Sequence, residues 1–282
     1  MKLLRYGEAD SEKPGMLDAD GNIRDLSGVV ADIDGALFSG PDMDKLRALD
    51  PASLPRVDGN PRIGPCVANV PKFICVGLNY TDHAAETGQP MPSHPLIFAK
   101  ATSAIVGPDD DVIIPRGSEK SDWEVELAVV IGKKASYVTE EEAMGCIAGY
   151  CIANDVSERS FQFDYAGQWT KGKSSDTFGP IGPWLVTPDE VPDPHNLKMY
   201  CAVNGHRYQD GSTNTMFFKV AHQISHISEF MTLMPGDIIS TGTPPGVGAG
   251  QKPQVFLKPG DVMELGIEGL GTQRQTCVAW SR

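Results

Sequence analysis

The apolar positions of this chain fall mostly in short, β-branched runs bounded by Gly, Pro and Asn. That texture predicts strands at Phe73–Val76, Leu96–Ala99, Val112–Ile114, Val125–Ile131, Ile147–Ala153, Tyr200–Val203, His206–Tyr208, Ile238–Ser240, Val255–Leu257 and Val262–Gly266. Asn204-Gly205, between two of these runs, is a strong hairpin signal, and Asp20-Gly21 is another. Helical spacing is rarer. Val220, Ile224, Ile227, Phe230 and Met231 share one helical stripe and predict one long helix over Met216–Leu233. Shorter helical patterns cover Asp42–Leu49, Thr81–Thr87 and Glu140–Met144. The expected class is β-rich α+β.

Domain organisation follows from a change of texture. Residues 1–69 read as a small accessory module ending in a linker, since residues 50–71 are rich in Pro, Gly and Asn. Residues 70–282 read as the main, catalytic domain. The 282 residues can bury a core without disulfides or structural zinc. None of the six cysteines forms a C-x-x-C pair and most sit in apolar runs, so buried free thiols are expected. The net charge of −13 excludes the basic face a nucleic-acid binder needs. The N-terminal residues lack the apolar stretch of a signal peptide, and no apolar run is long enough to span a bilayer. The expected location is the cytoplasm.

Four constellations carry candidate chemistry. Glu124 and Glu126, two apart at a strand start, share a face. Two close carboxylates call for open solvent or a shared cation. Asp155 follows the Ile147–Ala153 run, where an Asp is either a helix N-cap or a site residue. Together the three would suit Mg²⁺ or Mn²⁺. His83 and Glu86, three apart on a helical turn, are a surface ion pair or a base with its orienting carboxylate. The segment Thr81 to Pro95 adds Gly88, Pro90, Pro92 and Pro95, a composition that suits a lid. Lys100, Lys173 and the loop Thr241–Gly248 supply scattered donors. That loop lacks the G-K-[ST] ending of a phosphate-binding loop and is either a glycine-rich turn or an oxyanion cradle through its N–H groups and Thr243.

In this order the residues resemble the fumarylacetoacetate hydrolase family, over about three quarters of the chain from Phe73 onward. The motifs are G-L-N-Y-x-x-H-A-x-E from Gly77, W-E-V-E-L-A-V-V-I-G from Trp123, N-D-V-S-E-R from Asn154, Q-D-G-S-T from Gln209 and S-T-G-T-P-P-G-V-G from Ser240. The resemblance implies a mixed β-roll, a homodimer, and a pocket at the mouth of the roll. It implies Glu124, Glu126 and Asp155 as metal ligands, without the fourth acid of larger eukaryotic members. It implies His83 and Glu86 as a catalytic dyad on a lid, and Lys100, Arg159, Gln162, Lys173 and Thr243 as substrate or oxyanion contacts. The implied reaction is metal-dependent C–C hydrolysis of a small anionic 2,4-diketo acid, giving pyruvate. Phe161–Trp184 resembles a bacterial subgroup that includes 2,4-diketo-3-deoxy sugar-acid hydrolases (L-rhamnonate or L-fuconate type) and proteins called ureidoglycolate lyases. The alternatives are such a lyase, an oxaloacetate-type decarboxylase, or a silent oligomeric binding protein that keeps the fold.

Overall fold

The computed structural model describes residues 1–88 and 90–281. Its centre is the strand Val125–Ile131, every residue of which is buried. A strand covered on both faces reads as a continuous apolar run rather than an alternating one. Its odd positions, Val125, Leu127, Val129 and Ile131, pack into one core, and Ala128 and Val130 pack into the other. It pairs antiparallel with Ile147–Asn154 on one side and Ile238–Ser240 on the other. Ile238–Ser240 pairs parallel with Phe73–Gly77, and Leu96–Lys100 closes that edge. In the other direction Ile147–Asn154 pairs with Gly179–Val186.

The N-terminal strands Lys2–Tyr6, Lys13–Leu17 and Ile23–Asp25 continue this same sheet, since Lys2–Tyr6 pairs with Gly179–Val186. Leu3, Met16, Ile33, Leu37 and Phe38 then cover one face of the sheet. A second, five-stranded sheet packs on the opposite face through Met199, Cys201, Met263 and Leu265. The result is a mixed, sheet-rich α+β fold; among the described residues no sheet closes into a barrel. All six cysteines are buried and free. No helix is long and apolar enough to cross a membrane.

Two expected elements differ. The long helix spans Val220–Phe230 only. Residues 216–218 are taken by the Asn79 turn instead. Asn79 Oδ1 accepts from Phe218 N at 2.8 Å, Phe217 N donates to the Asn79 carbonyl, and Met216 bridges to Tyr80. Val255–Leu257 forms no strand; its N–H groups go singly to Gly248 and Ser121. The Asn204-Gly205 hairpin forms as expected, with both residues at positive φ.

Asn79 is fully buried, and its Nδ2 also donates to Phe218 O (3.1 Å) and Thr241 O (2.7 Å). It therefore ties the cavity-lining turn at Leu78, held at φ 51°, to two other segments. Asn79→Ala should cost about 3 kcal/mol, because several buried backbone groups lose their partner together. Urea unfolding checks this; an unchanged midpoint would show that the turn needs no such anchor.

Candidate active site

Period-two geometry explains how the acids meet. Glu124 and Glu126 lie on the face that carries Ala128 and Val130. In the partner strand Ala153 pairs with Glu126 and Asn154 with Val125. The ladder runs one step further, with Asp155 N donating to the Glu124 carbonyl at 2.9 Å. Asp155 thus falls on the same face as Cys151 and Ala153. One oxygen from each of Glu124, Glu126 and Asp155 lies within 4.8 Å of the others, and all three residues are buried. Asp155 caps no helix; Glu158 takes that role by accepting from Phe161 N.

Three cations balance the acids. Lys173 Nζ reaches Glu124 Oε2 (2.8 Å) and Asp155 Oδ2 (2.7 Å). Lys100 Nζ reaches Asp155 Oδ1 at 2.5 Å. Arg159 Nη2 reaches Glu124 Oε1 at 2.7 Å. Burial pushes the Glu124 carboxyl up, but Lys173 and Arg159 outweigh it and hold it well below the carboxylate range. Burial drives Glu126 the other way, with the charges of Asp155 and Glu124 adding to the rise. Burial opposes the Lys173 charge, yet Asp155 and Glu124 raise its pKa. Glu126 Oε2 accepts from Ser240 Oγ (2.6 Å) and Gly242 N (2.9 Å), which aims its carboxyl. Gly242 stands at φ 99°, and a Cβ there would sit 2.9 Å from that of Asn79, so only glycine fits.

His83 of the dyad faces the cavity beside these acids. His83 Nδ1 lies 3.0 Å from Glu86 Oε2, and Glu86 Oε1 accepts from Gly246 N at 2.9 Å. His83, Glu124, Glu126, Arg159, Gln162, Lys173 and Thr243 all contribute to the lining of a cavity of about 150 Å³. The surface ion-pair reading therefore does not describe His83, which is buried. Lys100 does not reach that lining. Its ammonium sits behind Asp155, bonded also to the Val156 carbonyl, because its strand ends under the Asp155 turn. It acts on the acids rather than at the cavity wall. Thr243 lines the cavity, but its hydroxyl donates to Val125 O (2.9 Å) and accepts from Gln209 Nε2 (2.8 Å). Its proton is committed to the backbone. Gln162 Oε1 accepts from Arg159 Nη1 at 3.1 Å, which leaves its NH₂ end to donate to a ligand.

The structure adds Asp122, Gln209 and Ser240. Asp122 is fully buried; it accepts from Gly248 N (2.6 Å), Ala249 N (2.9 Å) and Arg159 Nε (2.9 Å). It locks the glycine-rich loop to the arginine. Its sequence signal is the alternation Asp122, Glu124, Glu126. Gln209 and Ser240 open two of the quoted motifs, but only the fold shows their partners, Val125 and Thr243 for the one and Glu126 for the other.

The buried carboxylate trio could hold a divalent metal ion, and the His–Glu pair lies beside it. The family model for the fumarylacetoacetate (FAA) hydrolase C-terminal region matches residues 72–278, and the chain belongs to that family. Its curated relatives include the Burkholderia lata protein named "Putative hydrolase", 60% identical over 276 residues and covering 98% of both chains. The fumarylacetoacetate hydrolase of psychrophilic Exiguobacterium antarcticum aligns with a TM-score of 0.87 at 35% identity, over 99% of this chain and 100% of that one. The maleylpyruvate hydrolase of Sphingobium sp. SYK-6, solved with manganese(II) and pyruvate, aligns with a TM-score of 0.82 at 29% identity over 100% of both.

Proposed function

We propose that this protein hydrolyses a carbon–carbon bond in a small 2,4-diketo acid, with Mg²⁺ as the working ion. One observation carries the reading: His83, backed by Glu86, lines the same cavity as Glu124 and Glu126, which cluster with Asp155. Hard oxygen donors of this number and charge fit Mg²⁺ or Mn²⁺. They would bind through Glu124, Glu126 and Asp155, with Lys173 giving up part of its present hold on two of them. The bound ion supplies Lewis-acid stabilisation of the negative charge that develops on the substrate's oxygens.

The protein's own groups do the rest. Arg159 and the Gln162 NH₂ orient the substrate carboxylate. His83 takes a proton from water as the water oxygen bonds to the distal carbonyl carbon. Glu86, fixed by Gly246 N, keeps the ring oriented and supports its charge. The bond between that carbon and the methylene breaks, and its electron pair passes to the methylene. Protonation there releases pyruvate, and the other product is a carboxylic acid. A decarboxylase needs an electron sink but no activated water, so the buried dyad favours hydrolysis.

The direct test is pyruvate release from a panel of 2,4-diketo acids with Mg²⁺ or Mn²⁺, with oxaloacetate and ureidoglycolate alongside. Turnover of oxaloacetate alone would replace this reading with decarboxylation. The segment Thr81 to Pro95, of which Gln89 lies outside the described residues, is expected to close on ligand. Amide exchange over 81–88 and 90–95 should slow when metal and an oxalate-like ligand are added together. Identical exchange with and without them would remove the lid.

A further inference from the structure

The cavity has two unlike sides. Every polar side chain in its lining except the Trp169 indole belongs to the carboxylate cluster, the Thr243 contact or the dyad. The other side is built from Phe98, Phe163 and Trp169. Trp169 packs against Phe98 (ring centroids 5.3 Å) and against Phe163 (5.9 Å). The wall starts at the reacting end, since Lys173 Nζ lies 5.1 Å from the Phe98 ring centroid. It runs outward to Phe163, which is half exposed. Gly77 makes room for it: a Cβ there would lie 2.5 Å from the Trp169 ring.

Resting on the diketo-acid reading, we propose that this wall holds the distal group of the substrate, and that this group is an uncharged alkyl or aryl chain. A sugar-acid tail would bring several hydroxyls to a wall whose one side-chain hydrogen-bonding group is the indole N–H. Each hydroxyl left without a partner loses its water and gains nothing. A second carboxylate fares worse, because Arg159 already serves the first carboxylate along with Asp122 and Glu124, and Lys173 is paired with Glu124 and Asp155. An apolar chain loses no hydrogen bonds there and buries area against three rings. The sugar-acid tail implied by the resemblance of Phe161–Trp184 is therefore not the one this wall suits.

The test compares 2,4-diketo acids that differ only beyond the distal carbonyl: alkyl, phenyl, polyhydroxyl and ω-carboxylate. The alkyl and phenyl compounds should exceed the polyhydroxyl one in kcat/KM by at least about tenfold, the scale on which pocket complementarity discriminates. In Phe163→Ala and Trp169→Ala that ratio should fall toward one; Phe163, half exposed, is the variant that keeps folding intact. In parallel, calorimetry with Mn²⁺ compares pyruvate, 2-oxohexanoate, 2-oxoglutarate and 2-oxogluconate, which need no turnover. Tighter binding of 2-oxohexanoate supports the wall even if no diketo acid is cleaved, an outcome that would reject the hydrolase reading alone. Equal or better kcat/KM or binding for the polyhydroxylated compounds overturns the apolar assignment and leaves hydrolysis standing.

Discussion

His83→Ala is expected to lower turnover of a 2,4-diketo acid by roughly 10²–10⁴-fold, the usual range for loss of a general base. The variant should still bind Mn²⁺ and a pyruvate-like ligand nearly as the parent does. The three carboxylates keep their own partners in Lys173, Lys100, Arg159, Ser240 and Gly242 N, so removal of His83 leaves them held in place. Glu86→Gln should lose less, since the amide can still meet the ring but carries no charge to support it. Single-turnover kinetics beside metal titration separates the two effects. Full hydrolysis by purified His83→Ala would end the water-activation mechanism and leave the carboxylate trio as the supported feature.

Glu126→Ala should fail differently, losing metal and ligand binding together. One of three protein carboxylates is gone, so the loss should exceed the roughly 10–100-fold that outer partners of a metal site are worth. Fold stability without metal should also fall, because Ser240 Oγ and Gly242 N lose their buried acceptor, so the metal effect is read against each protein's own metal-free midpoint. The readout is thermal unfolding against Mn²⁺ concentration. The parent should gain about 2.7 kcal/mol at a hundredfold excess over its Kd. Glu126→Ala should show almost none of that gain at the same concentration. A parent-like shift would mean that the ion binds elsewhere.

The sequence alone was enough to locate the strands at the centre of the fold. Val125–Ile131 and Ile147–Asn154 are buried on both faces, so their apolar runs were continuous and needed no partner to be read. The spacing of Glu124 and Glu126 dictated a shared face, because side chains alternate along any strand. Their meeting with Asp155 depended on register across two strands, which local pattern does not carry. Motif resemblance pointed to it, and the pairing of Ala153 with Glu126 accounts for it. The length of the final helix was decided outside the helix, by the hydrogen bonds Asn79 makes to residues 217 and 218. The direction of a long polar side chain was equally undetermined. Lys100 turned behind Asp155, and the Thr243 proton went to Val125 O, since each satisfied the nearest buried partner the fold offered. Composition also could not say that Phe98, Phe163 and Trp169 form one wall. Residues 98, 163 and 169 come from a sheet edge, the end of one short helix and the turn before the next, and only their packing, with Trp169 over Gly77, sets an aromatic surface beside the buried charges.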